Sequence, residues 1–104
     1  RVIEAAAKAT YAEYVKKKVF APLKLTAPQL ARGTPQARPK AEVSYYDASG
    51  YTGTGLYPPT AGQRVPIPDG AMNVEGFEAH GGWVASAVDL VRFTSAFDDP
   101  ANCP

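Results

Sequence analysis

The chain has one cysteine, one histidine and no long block of charge of either sign, and each of these absences argues against a class of function. Its only cysteine, Cys103, rules out an internal disulfide and a zinc site built from several thiolates. Its only histidine, His80, leaves scattered acids as the remaining metal ligands, so we expect no metal and no other cofactor. Eleven basic and ten acidic residues give a net charge of +1 without a long basic block, which makes nucleic acid an unexpected partner.

Long apolar runs are also missing. No stretch approaches the ~20 apolar residues that a membrane-spanning helix needs, and the first eight residues lack the apolar core of a signal peptide. A length of 104 residues predicts at most one small domain of marginal stability. The chain has no initiator methionine and ends without a helix cap, so we expect it to be an internal segment of a longer protein.

The N-terminal residues are strong helix formers. Thr10 and Glu13 have the spacing of a capping box, in which each side chain satisfies a free backbone N–H at a helix start. Pro22 cannot continue a helix and disfavours one at the preceding residue. The sequence therefore predicts helices over about 1–8 and 11–20, which share one apolar face formed by Ile3, Ala7, Tyr11 and Val15.

The centre is irregular and lightly β. Alternating β-formers predict a strand over about 42–47. A long loop rich in glycine and proline follows over about 48–79, in which 64–67 is suited to an edge strand. Ser86 and Asp89 repeat the capping-box spacing ahead of an apolar face, which predicts a third helix over about 86–98.

The segment from Glu78 to Trp83 is the main candidate for a binding site. Two glycines let backbone approach a ligand closely, while the rings of His80 and Trp83 form a wall. An equally weighted interpretation is a hinge between loop and helix in which Trp83 fills a core. A Ser-His-Asp triad built around His80 has little support, because a triad is a spatial arrangement that sequence alone does not establish.

Three segments carry a family resemblance. They are residues 1–23, with Tyr-Ala-Glu-Tyr-Val and Val-Phe-Ala-Pro-Leu; residues 42–47, Glu-Val-Ser-Tyr-Tyr-Asp; and residues 79–93, with His-Gly-Gly-Trp and Asp-Leu-Val-Arg-Phe. In this order they resemble the beta-lactamase-related serine hydrolases, which include class C beta-lactamases, D-alanyl-D-alanine carboxypeptidases and esterases. The resemblance implies an α+β, helix-rich fold, with 1–104 forming part of a beta-lactamase-like domain.

The catalytic motifs of that family are not in this sequence. No serine has a lysine three positions later, and no tyrosine has an asparagine two positions later, so S-x-x-K and Y-x-N are both absent. The sequence His80-Gly81-Gly82 matches H-x-G formally, but it precedes a capped helix and not the family's strand motif. We therefore assign no catalytic residue and expect the chain to be inactive by itself.

The resemblance also suggests what the parent protein does. It implies acyl-enzyme hydrolysis of an amide or ester, such as a beta-lactam or a D-Ala peptide, outside the cytoplasm. His80, Gly81 and Trp83 would then border the substrate pocket. Two alternatives stay open: a non-catalytic module that binds peptide or glycan, and a structural piece that self-associates through uncovered apolar helix faces.

Two lysines depart from the family pattern. Lys8 and Lys24 stand where the family commonly has glycine, at positions that can require a positive φ. A lysine there is predicted to cost about 1 kcal/mol, or to let the first helix run into the second.

Overall fold

A computed structural model describes residues 1–98 and 101. It contains helices and short antiparallel strands, as an α+β chain should. The fold divides into two compact units. Unit 1 comprises 1–30 and 83–104, of which 99, 100 and 102–104 lie outside the described residues, and unit 2 comprises 31–82. Cys103 lies outside the described residues.

Unit 1 begins with two short helices. Helix α1 spans Val2–Ala7 and helix α2 spans Tyr11–Val15, after which the chain continues as one π-helical segment, Lys16–Phe20. The predicted capping box is present, because Thr10 Oγ1 accepts from Glu13 N at 3.3 Å and Thr10 N donates to the Glu13 carboxylate at 3.0 Å. Hydrogen bonds from Thr10, that of its side chain first, lower the pKa of Glu13.

Lys8 and Lys24, which stand where the resembled family commonly has glycine, both have a positive φ. Lys8 ends α1 with φ 51° and ψ 39°, and Lys24 has φ 55°. The left-handed backbone at Lys8 stops α1, so the two helices stay separate and the lysine bears the conformational cost. Both lysines therefore have a left-handed backbone conformation, which costs free energy for any L-residue with a Cβ.

Replacing either lysine by glycine should stabilise unit 1. We expect Lys8→Gly and Lys24→Gly each to raise the free energy of unfolding by about 0.5–1 kcal/mol, since the strain removed exceeds the added freedom of the unfolded chain. Urea unfolding followed by far-UV circular dichroism measures this change. The matched control is Lys17→Gly, which lies within a helical segment and should destabilise by a similar amount. Equal destabilisation by all three glycines would contradict the assignment of strain.

The rest of unit 1 is a two-stranded ladder and a helix. Strand β1 (Gln29–Leu30) pairs antiparallel with β4 (Trp83–Val84), placing Leu30 opposite Trp83. Helix α3 spans Ala87–Ser95, within the predicted 86–98, and its Ser86–Asp89 capping box is complete.

The core of unit 1 is thin. Leu25 and Ala96 are its only buried hydrophobic residues among those the structure describes. The predicted apolar surface of α3 and the turn after it is largely uncovered, with four large side chains exposed: Val88, Leu90, Val91 and Phe97. On the apolar face predicted for the two N-terminal helices, Ile3 is 41% exposed, whereas Tyr11 and Val15 are half-buried.

Unit 2 is built around a hairpin. Strand β2 (Thr52–Thr54) pairs antiparallel with β3 (Arg64–Pro66), so the edge strand suggested over 64–67 is present. The predicted loop over about 48–79 contains more regular structure than the suggested edge strand, because β2 and the 3-10 turns Ile67–Asp69 and Val74–Gly76 also lie within it. The sequence concealed β2, since its central residue is glycine, which has little strand preference.

The strand predicted over 42–47 is also wrong. The residues that alternate in sequence form neither helix nor strand, and Val43 and Tyr46 are 70% and 92% exposed. A strand needs a neighbour for its backbone groups. The described residues offer none here, and Glu42 turns inward to face Arg38.

Candidate functional site

The Gly-Gly segment ends unit 2 in a tight turn. Glu78 has φ 42° and Gly81 has φ 90°, so two of its residues are in the left-handed region. Gly82 is buried and donates its N–H to the Glu78 carbonyl at 3.0 Å, and a Cβ on Gly82 would lie 2.5 Å from Glu78 N. The absence of a side chain on Gly82 therefore lets it approach the backbone of Glu78, which belongs to the same chain and not to a ligand.

His80 lies on the surface of unit 2. Its ring packs against Phe77 with centroids 5.3 Å apart, and its imidazole has no hydrogen bond or ion pair with any residue the structure describes. A general base requires a partner that orients its ring. Within the described residues, His80 is therefore an accessible side chain without an assembled proton relay.

Trp83 belongs to unit 1 and is held by two other aromatic residues. Its indole Nε1 donates to the Tyr11 hydroxyl at 3.1 Å, and its ring meets Phe20 edge-on at 4.9 Å between centroids. Because this packing joins β4 to α2 and the π-helical segment, it agrees with the interpretation that Trp83 fills a core. His80 and Gly81 lie in the other unit, so the three predicted site residues are divided between the two units.

An apolar cleft of about 200 Å³ adjoins Trp83 within unit 1. Asp89 is the one charged residue on its wall, and its Oδ2 accepts from Ser86 N and from the Ser86 hydroxyl at 3.1 and 2.6 Å. The other side chains of the wall are apolar. The other lining residues are Phe20, Leu25, Pro28, Trp83, Ala85, Leu90 and Phe93.

A second cleft, in unit 2, surrounds Arg38 and has a volume of about 510 Å³. We call it the Arg38 cleft; residues of the segment from Pro35 to Tyr46, together with Asp69, line it. The Arg38 side chain is 11% exposed and lies 3.3 Å from the Asp69 carboxylate and 3.7 Å from that of Glu42. It also donates to the Pro68 carbonyl. Sequence reasoning missed this cluster, because Asp69 lies 31 residues after Arg38 along the chain and only folding brings the two together.

Tyr45 adds an aromatic wall to the Arg38 cleft. The Arg38 guanidinium carbon lies 4.9 Å from the centre of the Tyr45 ring. Burial raises the pKa of the Tyr45 hydroxyl, and the neighbouring Glu42 carboxylate raises it further by favouring the protonated form. Tyr45 is therefore a neutral phenol at neutral pH.

Tyr57 stabilises unit 2 through a hydrogen bond and close ring packing. Its hydroxyl donates to Asn73 Oδ1 at 2.9 Å, and its ring lies so close to Gly33 that a Cβ there would be 2.1 Å from Cε2. Gly33 N in turn donates to the Glu75 carboxylate at 3.2 Å.

The described residues contain no group of three or more histidine, cysteine, aspartate and glutamate side chains arranged to hold a metal ion. Among the same residues, no helix has both the length and the apolar character needed to cross a bilayer.

Comparison with known families identifies the family of the chain. Residues 1–102 match the model of the Beta-lactamase family, and the chain belongs to that family. This places it within the beta-lactamase-like serine hydrolase superfamily. No curated protein and no solved structure matches it.

Proposed function

We propose that this chain is the non-nucleophilic part of a serine hydrolase that acts through an acyl-enzyme on an amide or ester. The observation that carries the proposal is the family match over residues 1–102 in a sequence without S-x-x-K or Y-x-N. In this account the chain contributes a wall of the substrate pocket, and the acylated serine belongs to another part of the parent protein. A beta-lactam or a D-Ala peptide is the substrate class we favour.

The geometry of the predicted site residues supports a binding role without proton transfer. His80 is exposed and has no partner, among the residues described, that would orient its imidazole. Trp83 is rigidly held by Tyr11 and Phe20, so it is suited to shaping a surface. The uncovered apolar side chains of α3 support attachment to a larger body, because exposed apolar patches of this kind commonly mark an interface.

The 104-residue chain should not turn over acyl substrates. We expect no hydrolysis of a chromogenic cephalosporin or of a p-nitrophenyl ester above a buffer blank, and no mass increase after incubation with a penicillin, because the sequence contains no S-x-x-K serine. Absorbance assays and intact-protein mass spectrometry measure these outcomes. Turnover that His80→Ala abolishes would show that the chain carries its own catalytic centre.

The coding region upstream of Arg1 provides the complementary test. A serine hydrolase parent predicts S-x-x-K there, followed by Y-x-N before this segment begins. Substituting the serine of that motif should abolish turnover by the parent. A parent that lacks both motifs would favour the non-catalytic binding module.

A further inference from the structure

A third cleft, within unit 1, has two cationic side chains on its wall. Its volume is about 600 Å³, and it is lined by residues of the turn before Leu25 and of helix α3 with its C-cap. We call it the Lys24–Arg92 cleft, after the two cations. Ser95 adds a hydroxyl group, and none of the described residues on this wall is acidic. The remaining lining residues are Leu23, Val91 and Ala96.

Neither cation is neutralised by the part of the chain that the structure describes. The side chains of Lys24 and Arg92 make no hydrogen bond or ion pair with any described residue. Asp89, three residues before Arg92, instead accepts from Ser86 in the capping box. Two like charges on one cleft repel each other, and an anion between them replaces that repulsion by attraction. The cleft is therefore suited to a negatively charged ligand.

The donors of the cleft match a phosphate group better than a carboxylate. A guanidinium presents forked N–H groups that fit the oxygens of a phosphate, and an ammonium adds a compact charge. The Ser95 hydroxyl has no partner among the described residues and supplies a further donor. A phosphate monoester has three acceptor oxygens and a charge of about −1.5 to −2 at pH 7, so it balances both cations, whereas a carboxylate balances one.

The apolar part of the wall favours an organic phosphate over the inorganic ion. Leu23 and Val91 lie on the same wall as the cations, and Val91 is 63% exposed. A ligand with a carbon group would remove part of this apolar surface from water, which inorganic phosphate does not do.

We propose that the Lys24–Arg92 cleft binds a phosphate monoester. Its oxygens accept hydrogen bonds from Lys24 Nζ, the Arg92 guanidinium and the Ser95 hydroxyl, and its carbon group rests against Leu23 and Val91. Binding here involves no acyl transfer, and it does not depend on the hydrolase proposal.

The test titrates the 15N-labelled 104-residue chain with four small molecules at low ionic strength. We expect phenyl phosphate to shift the amide resonances of 23–24 and 91–96 with a dissociation constant of about 1 mM. Inorganic phosphate should bind about threefold more weakly, because it lacks the ring. Benzoate, with a single charge, should bind about fivefold more weakly. Benzyl alcohol, which has a ring and no charge, should leave these resonances unchanged at about 10 mM.

Lys24→Gly separates loss of the cation from loss of the fold. This substitution relieves the positive φ at residue 24 and is expected to stabilise unit 1, so weaker binding by it is not explained by unfolding. We expect it to weaken phenyl phosphate binding by about fivefold. Lys8→Gly is the matched control: it makes the same change of charge at another left-handed residue, which does not line the cleft, and should change binding by less than about 1.5-fold.

Variants of Arg92 test the geometry of the second cation. Arg92 is exposed on α3, so its replacement should leave the fold intact. Arg92→Gln should weaken phenyl phosphate binding by about tenfold, because a charge and the forked donors are both lost. Arg92→Lys keeps the charge and loses the fork, and it should weaken binding by about threefold.

Four results would overturn the proposal. The first is an absence of shifts in 23–24 and 91–96 with phenyl phosphate at about 10 mM. The second is equal binding of benzyl alcohol or of benzoate, which would make the cleft an apolar surface or a general anion site. The third is equal binding of inorganic phosphate, which would exclude a contribution from the carbon group. The fourth is a loss of binding by Lys8→Gly as large as that by Lys24→Gly, which would assign the effect to net charge.

Discussion

Replacing Trp83 by alanine should lower the free energy of unfolding by about 3 kcal/mol, because it removes a large ring that packs against two others. Trp83 joins β4 to Tyr11 and Phe20 in a unit that buries only two hydrophobic residues among those described, so little else compensates. Urea unfolding followed by far-UV circular dichroism measures the loss. For a small unit of marginal stability, that loss is enough to unfold it at ambient temperature.

Two milder variants separate the ring from its N–H group. Trp83→Phe retains an aromatic ring and loses the donor to Tyr11, so we expect a cost of about 1 kcal/mol beyond the reduced packing. Tyr11→Phe removes the hydroxyl that accepts this hydrogen bond. Because this variant keeps Trp83, the only tryptophan, its intrinsic fluorescence reports unfolding directly. Tyr46→Ala is the control at an exposed position and should change stability by less than about 0.5 kcal/mol.

The stability of Trp83→Ala distinguishes the two interpretations of Trp83, as a residue that fills the core or as a wall of a substrate pocket. If Trp83 fills the core of unit 1, Trp83→Ala unfolds that unit and substrate contacts are lost only as a consequence. If it serves chiefly as the wall of a substrate pocket, the isolated chain keeps its stability. Unchanged unfolding of Trp83→Ala would therefore restore the pocket-wall interpretation, against the packing seen with Tyr11 and Phe20.

Local signals predicted the helices well. The capping boxes at Thr10 and Ser86 have their reciprocal hydrogen bonds, because such a box depends on residues only three positions apart. The positive φ of Lys8 and Lys24 followed from the resemblance, since glycine at a helix end marks a left-handed backbone.

Non-local pairing was the main source of error. The segment 42–47 has strand-like alternation, but a strand forms only where another chain segment supplies hydrogen bonds, and alternation does not reveal that partner. Strand β2 shows the converse, because a weak sequence became a strand once β3 was beside it. The Arg38 cleft was unpredictable for the same reason, since contact between Arg38 and Asp69 arises from folding and not from spacing.

Substituting Gly82 by alanine should destabilise unit 2 by about 3 kcal/mol, because its Cβ would enter backbone that cannot move aside easily. The added atom would lie 2.5 Å from Glu78 N and 3.0 Å from Glu78 O. Glu78 already has φ 42°, so relief by further distortion of that residue is costly. Amide hydrogen exchange at Ala31, which donates to the Gly82 carbonyl at 2.8 Å, measures the loss within unit 2.

Gly62 provides the matched control for this second prediction. It lies in the same unit with φ 80°, and a Cβ added there would have no neighbouring atom within 4 Å, so Gly62→Ala should cost only about 1 kcal/mol of backbone strain. The difference between the two variants isolates the steric clash from the general cost of replacing glycine. If both variants exchange at the same rate, the Gly-Gly pair is not required for the turn, and its glycines are then better explained by close approach of a ligand.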